Sequence, residues 1–279
     1  MKHKIITFGE LMLRLSPDNN ERFTQAHSYE AVYGGGEANT AVSLANFNVD
    51  TRYVTKLPKH TIGQSAVNSL RQYGVDVSRI VRGGDQIGIY FLEKKTSQRP
   101  TNVIYNRNGS AFALAAKEDF DWDSIFDGAT WFHFSGITPA ISDNMAEITI
   151  EACKEAKKRG ITVSCDLNYR SKLWSSEKAN KVMSEVCRYV DICIANEDDA
   201  VGIFGMDASK SDKEKNAYIA EELTKMFPNF KMVASVWRTE TSITTFKLQS
   251  IQQESFEEAQ QEAEEAAKLT VNEIGRAHV

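Results

Sequence analysis

A glycine turn at residues 33–39 is the first segment whose residue types could bind a ligand. It carries Gly34, Gly35 and Asn39 and leads into a segment with helical apolar spacing. Glycines let a ligand approach the backbone closely, and the asparagine could either cap the helix or hydrogen-bond a ligand hydroxyl. No Gly-Lys-Ser/Thr follows, and Asn39 stands where a dinucleotide fingerprint has its third glycine. This pattern is compatible both with a plain strand–helix turn and with a turn that binds a ligand.

Polar side chains also follow two predicted strands in the second half of the chain. Asp166, Asn168 and Arg170 end one apolar run, and Asn196 and Asp199 end the next. Ligands of parallel sheets bind outside the carboxyl ends of the strands, so a site is expected here. A guanidinium suits carboxylate or phosphate, and an asparagine among carboxylates could organise hydrated Mg²⁺. The alternative for the second group is helix N-capping, because acidic residues favour a helix start.

The elements that must position these residues alternate along most of the chain. Short apolar runs are separated by helical segments of about ten residues or more, which predicts βαβ units and a mostly parallel sheet with helices on both faces. We predict strands at residues 5–8, 53–57, 131–135, 161–166, 192–195 and 231–236, and helices at 39–48, 63–73, 143–159, 177–190 and 212–226.

One region interrupts this alternation. Residues 86–94 and 102–107 predict a hairpin, and two extended pieces, 11–15 and 29–33, precede the first helix. Together they predict a small antiparallel sheet, which either covers a cleft as a lid or decorates an edge. Tyr90, Tyr105 and Arg107 lie in the hairpin. If they face a cleft, they could hold a polyhydroxy acid; otherwise the tyrosines are ordinary strand residues.

Composition restricts the class of protein. The 279 residues carry 33 basic and 38 acidic side chains, a net charge of −5, which argues against a general nucleic-acid surface. No apolar run is long enough to span a membrane, and the first apolar run is too short for a signal peptide. None of the four cysteines forms a C-x-x-C pair, so we expect buried thiols in a reducing cytoplasm. His133, within an apolar run, is expected to be a core histidine.

Four motifs then occur in an order that resembles the ribokinase-like (PfkB) carbohydrate kinases. The similarity covers residues 1–242 and is strongest to the subgroup that phosphorylates 2-keto-3-deoxygluconate. It implies a ribokinase-like sheet with a lid from about residues 11–33 and 86–107, and ATP-dependent phosphorylation of a sugar hydroxyl with Mg²⁺. The motifs are Phe8-Gly9-Glu10-Leu11-Met12, Gly34-Gly35-x-x-x-Asn39, Asp166-x-Asn168-x-Arg170 and Asn196-x-x-Asp199.

The resemblance also implies roles for individual residues. The substrate side would comprise Gly34, Gly35, Asn39, Tyr90, Tyr105, Arg107 and Arg170. Of these, Arg170 would meet either the substrate carboxylate or the phosphate during transfer. The nucleotide and phosphate side would comprise Asn168, Asn196, Asp199 and Arg238, with no direct metal ligand. Asp199 stands where the family has a glutamate, which shortens its reach by one methylene. The resemblance further allows a homodimer through the lid. It implies a small sugar acid as the binding partner, and it implies binding to neither nucleic acid nor membrane.

The resemblance ends near residue 242. The family's catalytic aspartate lies in a Gly-Ala-Gly-Asp element, and residues 243–279 contain none. We therefore expect an incomplete kinase domain without its base, followed by an acidic tail foreign to the family. Residues 274–279 can be encoded by DNA that resembles a common sequencing adapter, which favours truncation or a misjoined tail. A fructokinase-like or other sugar kinase of the superfamily, and a non-catalytic sugar-binding fragment, are the alternatives.

Overall fold

The computed structural model describes residues 3–96, 99–207, 212–240 and 246–251. The chain forms two compact units. The N-terminal unit is Ile6–Asp127, and the C-terminal unit contains His3–Ile5 and the described residues from Gly128 onward. Strands and helices alternate in an α/β fold with a mostly parallel sheet, as predicted. No helix in these described ranges combines the length and low polarity needed to cross a bilayer.

The N-terminal unit places two amphipathic helices over a buried cluster. Strand β1 (Lys4–Phe8), of which Ile6–Phe8 belong to this unit, neighbours β4 (Asp50–Val54), and the cluster includes Ala41, Tyr53, Ala66 and Leu70. The small alanines let the helix backbones approach the strands closely, which favours dense packing. The strands are β1 (Lys4–Phe8), β2 (Met12–Pro17), β3 (Tyr29–Gly34), β4 (Asp50–Val54), β5 (Lys56–Leu57), β6 (Val81–Arg82), β7 (Ile89–Glu93) and β8 (Asn102–Asn106), and the helices are α1 (Gly36–Asn46), α2 (Thr61–Arg71) and α3 (Trp122–Ile125).

Four of these strands form the predicted small sheet, in the order β3-β2-β7-β8. The β2–β3 and β7–β8 pairs are antiparallel, but β2 pairs with β7 in parallel. The prediction of an all-antiparallel lid was therefore wrong at its centre. The physical reason is connectivity: β2 and β7 are joined by a long crossover containing α1 and α2, whereas each outer pair is joined directly.

The C-terminal unit is a run of parallel strands with one antiparallel edge. The order is β13-β12-β11-β10-β9, and only β13 runs against its neighbour. Strand β13 falls within residues 243–279; the rest of that predicted tail lies outside the described residues. The strands are β9 (Trp131–Ser135), β10 (Thr162–Asp166), β11 (Ile192–Ala195), β12 (Met232–Glu240) and β13 (Phe246–Ile251), and the helices are α4 (Ile137–Ala140), α5 (Asp143–Lys158), α6 (Ser176–Cys187), α7 (Glu197–Phe204) and α8 (Asp212–Met226).

The cysteines lie in the interior of this unit, as expected, whereas the His133 residue, predicted as a core histidine, is half-buried. All four thiols are buried, and Cys165 lies opposite Cys193 in the β10–β11 register. Burial raises the pKa of each of these thiols, because a thiolate is poorly solvated there. The Nδ1 atom of His133 lies 2.9 Å from the Ser164 hydroxyl, and burial lowers the pKa of this histidine to about 4. A neutral histidine follows.

The buried carboxylate of Asp191 ties three elements of the C-terminal unit together. Its oxygens accept hydrogen bonds from Lys157 Nζ at 2.7 and 2.8 Å and from the Val163 amide at 2.9 Å. Lys231 Nζ adds an ion pair at 3.2 Å. Burial would raise the pKa of Asp191, but these hydrogen bonds outweigh it and hold the pKa below the ordinary value of 3.8.

We expect Asp191→Asn to lower the free energy of unfolding by about 2 kcal/mol at neutral pH, since hydrogen bonds to a charged group are lost. A carboxyl group with a lowered native pKa stabilises above its unfolded pKa and loses this contribution as pH falls through the native value. The difference between variant and wild type should therefore shrink below pH 3.8. Urea unfolding across pH measures it. A similar loss in the exposed-pair control Asp143→Asn would contradict the role of burial.

Candidate functional site

The glycine turn closes on the segment that follows β1. Gly35 is the N-cap of α1, so the helix begins at Gly36. A Cβ atom at Gly35 would collide with the carbonyl oxygen of Glu10. Its φ of −179° is ordinary extended backbone, so close approach, and not backbone geometry, requires glycine here. Of the two alternatives for Asn39, the N-cap was wrong, because Asn39 lies inside the helix and its backbone amide donates to the Gly35 carbonyl at 2.8 Å.

The other predicted substrate residues of this unit gather beside Gly34. A Cβ atom built on Gly34 would lie 3.5 Å from the Tyr90 hydroxyl and 4.0 Å from Asn39 Oδ1. Tyr90 and Tyr105 are register partners on β7 and β8, with ring centroids 5.8 Å apart. The turn and the small sheet thus bring a phenol and an amide to one place, while the Tyr105 side chain is largely exposed.

Arg107 is buried in an ion pair that sequence reasoning missed. Its Nε atom donates to Glu10 Oε2 at 2.7 Å, and its Nη2 atom contacts the same oxygen. The Ser110 hydroxyl donates to the other oxygen, Glu10 Oε1. Burial raises the pKa of Glu10, and Arg107 and Ser110 oppose this shift. A signal was present in the sequence, since a Gly-Glu pair directly after a buried strand is an unusual place for a charge.

Arg14 is a second residue that the sequence pattern did not single out. It is opposite Tyr90 in the β2–β7 register, and its guanidinium is close enough to the Tyr90 hydroxyl to lower the pKa of this phenol. Burial raises the pKa of Tyr90 against the opposing effect of Arg14, so the phenol stays protonated at neutral pH. Arg14 Nε is buried without a hydrogen-bond partner among the described residues. An arginine within an otherwise apolar strand was the available signal.

In the C-terminal unit, Asn196 and Asp199 build the start of α7. Asn196 Oδ1 accepts from the Asp199 amide at 2.9 Å, and Asp199 Oδ2 accepts from the Asn196 amide at 3.0 Å. This reciprocal pair is a capping box. Asp199 Oδ1 also accepts from the Tyr169 amide at 2.6 Å, which fixes the loop after β10. Burial raises the pKa of Asp199, against the backbone hydrogen bonds and Arg170. The helix-capping alternative therefore describes the observed contacts.

The remaining predicted site residues of the C-terminal unit, Asn168, Arg170 and Arg238, lie near the ends of β10 and β12. Asn168 has a φ of +39°, and its amide lies 3.5 Å from an Asp166 carboxylate oxygen. Arg170 is exposed and close enough to Asp199 to lower its pKa. Asn196 is likewise exposed. The backbone of Arg238 belongs to β12, but its side chain lies outside the described part of the structure. An exposed guanidinium fits a phosphate, whereas buried Asp199 has both oxygens engaged.

We expect Gly35→Ala to destabilise the chain by about 1–3 kcal/mol, because the new methyl group would push against the Glu10 carbonyl. Gly36→Ala is the matched control, since a Cβ atom there meets nothing within 4 Å and the residue is already helical. Urea unfolding at neutral pH compares the two variants. Equal stability of the two would show that the close approach is not tight.

We expect Asn196→Ala to lower the free energy of unfolding by about 1 kcal/mol, because the cap of α7 is lost. Asn196→Ser should recover most of this loss, since a serine hydroxyl can accept the same hydrogen bond. Thermal unfolding monitored by circular dichroism measures both. If alanine were as stable as asparagine, the capping box would contribute nothing measurable.

Comparison with known proteins places this geometry in context. The chain is 37% identical over 209 residues to a 2-dehydro-3-deoxygalactonokinase from Haloferax volcanii, which covers 74% of this chain and 65% of that protein. A crystal structure of a 2-dehydro-3-deoxygluconokinase from Thermotoga maritima is 47% identical, with a TM-score of 0.87 over 91% of this chain and 77% of that one. A PfkB family carbohydrate kinase from Listeria grayi is 34% identical, with a TM-score of 0.82 over 90% and 76%.

The chain thus spans about two thirds or less of the length of the curated relatives it matches. The family model for pfkB carbohydrate kinases matches residues 2–229. That range contains the glycine turn, the small sheet and both polar strand ends. This chain belongs to the pfkB family of carbohydrate kinases.

Proposed function

We propose that this chain carries the substrate-binding and phosphate-binding residues of an ATP-dependent kinase for 2-keto-3-deoxy sugar acids, with 2-keto-3-deoxygluconate as the expected substrate. One observation carries the proposal: the N-terminal unit places two guanidinium groups, Arg14 in β2 and Arg107 directly after β8, beside Tyr90 and Tyr105. The names of the Thermotoga maritima and Haloferax volcanii relatives support the same substrate class.

The charge in this unit suits an acid better than a neutral sugar. Arg107 has five N–H donors, and it contacts Glu10 through its Nε and Nη2 atoms. Its other N–H groups are of the type that donates to a carboxylate, which a planar guanidinium binds bidentately. Tyr90, Asn39 and the backbone at Gly34 supply the neutral groups that hydroxyls need. A neutral sugar would offer no negative charge to the guanidinium N–H groups that do not face Glu10.

The phosphate side of the proposal uses the C-terminal unit. Arg170 would neutralise phosphate charge, and Asn168 and Asn196 would hydrogen-bond phosphate oxygens or water. Arg238 is proposed for the same side on the resemblance alone. The exposed carboxylate of Asp198 beside Asn196 fits a hydrated Mg²⁺ held through water. When bound, the ion would neutralise phosphate charge. Asp199 would act indirectly, because its oxygens hold the Asn196 and Tyr169 amides in place.

Two further expectations stay predictions. The family's aspartate base was expected to be absent from residues 243–279, and apart from 246–251 this stretch lies outside the described residues. A homodimer through the small sheet was allowed by resemblance, and no contact described above bears on it. Binding and turnover are therefore measured as separate quantities in the experiment below.

We expect 2-keto-3-deoxygluconate to bind the wild-type chain at least about tenfold more tightly than fructose, because only the acid pairs with Arg107. Isothermal titration calorimetry measures both dissociation constants. A coupled assay of ADP release tests turnover with ATP and Mg²⁺.

Tighter binding of fructose would favour the fructokinase-like alternative. Binding of the acid without ADP release would favour the non-catalytic fragment. Arg107→Leu should lose the preference for the acid, with Arg99→Leu as a control on another lid arginine, whose Nη1 lies 3.9 Å from Glu93.

A further inference from the structure

We infer that Glu10 is a positioning residue for acid selectivity, which fixes Arg107 through its side chain and the glycine turn through its backbone. The inference rests on the proposed function, since it concerns how the same site tells a sugar acid from a neutral sugar. Glu10 itself need not touch the substrate. It would act by deciding where the Arg107 guanidinium and the Gly35 turn lie.

The side-chain contacts explain how the guanidinium is held. The Nε edge of Arg107 faces Glu10 Oε2, so one edge of the planar group is committed to the carboxylate. The Ser110 hydroxyl holds the second oxygen and in turn accepts from the Ala113 amide at 3.1 Å. The Ser110 amide donates to the Arg107 carbonyl at 3.0 Å. Each member of this cluster therefore limits the freedom of the others.

The close approaches around Glu10 explain how the turn is held. A Cβ atom on Gly35 would strike the Glu10 carbonyl oxygen, and one on Gly88 would strike Glu10 Oε1. Glu10 is thus packed between the glycine turn and Gly88, which directly precedes β7 and is two residues before Tyr90. The backbone of Glu10 therefore contacts the glycine turn, and its side chain contacts Arg107, so this one residue touches both groups of predicted substrate residues in the N-terminal unit.

Burial makes these contacts consequential. The Glu10 side chain is 2% exposed and that of Arg107 is 6% exposed. A buried guanidinium that loses its carboxylate must find another partner or change position. Loss of Glu10 should therefore disturb binding of the acid more than binding of a neutral analogue, which makes no demand on the charge.

The test compares 2-keto-3-deoxygluconate with 3-deoxyfructose, in which a hydroxymethyl group replaces the carboxylate. We expect Glu10→Ala to weaken acid binding by at least about 30-fold and neutral-sugar binding by less than about threefold. Ser110→Ala, a milder change, should weaken acid binding by about threefold. Glu93→Ala, which removes another buried lid glutamate near an arginine, should leave the acid-to-neutral ratio unchanged.

A double-mutant cycle separates positioning from general stability. If Glu10 acts through Arg107, the Glu10→Ala/Arg107→Ala variant should bind the acid within about twofold of Arg107→Ala alone. Additive losses in the cycle, or an unchanged acid-to-neutral ratio in Glu10→Ala and Ser110→Ala, would overturn the inference. Thermal unfolding of each full-length variant shows whether it is folded.

A measurement without ligand tests the positioning role of Glu10 independently of the proposed function. Arg107 should react several-fold faster with phenylglyoxal in Ser110→Ala or Glu10→Ala than in wild type, as measured by peptide mass spectrometry. Unchanged reactivity would overturn the positioning role. If wild type bound no sugar acid, the proposed function would fail, while the labelling would still show whether Glu10 fixes Arg107.

Discussion

The cost of burying a carboxylate organises both units of this chain. An ionised carboxylate removed from water must be paired with a cation or with several N–H donors. The N-terminal unit meets this demand at Glu10 with Arg107 and Ser110. The C-terminal unit meets it at Asp191 with two lysines and a backbone amide, and at Asp199 with two backbone amides. Each solution joins segments distant in sequence, and those at Glu10 and Asp199 fix segments that carry candidate ligand-binding residues.

Much of this architecture followed from periodicity. The buried strands β9, β10 and β11 and the helix α5 were predicted almost to the residue, because apolar runs and the glycine at position 160 mark their ends. The small sheet was predicted from its hairpin, but its central pair is parallel. Strand pairing between distant segments depends on the whole chain path, which local pattern does not contain.

In the candidate site, too, residues in local motifs were predicted, whereas contacts between distant segments were not. Residue types and motif order indicated Gly34, Asn39, Tyr90 and Arg107, and the structure places Asn39 and Tyr90 beside Gly34. The contacts that hold Arg107 were missed, because Glu10 is 97 positions from Arg107 and 100 positions from Ser110 in the sequence. From the sequence, the start of helix α7 was considered only as an alternative explanation for the cluster with Asn196 and Asp199. Its Asn196 and Asp199 show that one side chain can cap a helix and remain a candidate for phosphate binding.

The placement of the cysteines has a practical consequence for studying the two units. All four cysteines of the chain lie between positions 153 and 193, within the C-terminal unit, and all are buried. Thiol-alkylating reagents can therefore reach them only when that unit opens. Pulsed alkylation would report opening of the C-terminal unit alone, with no engineered label and no signal from the N-terminal unit. The native sequence already contains a probe for whether the two units unfold together or separately.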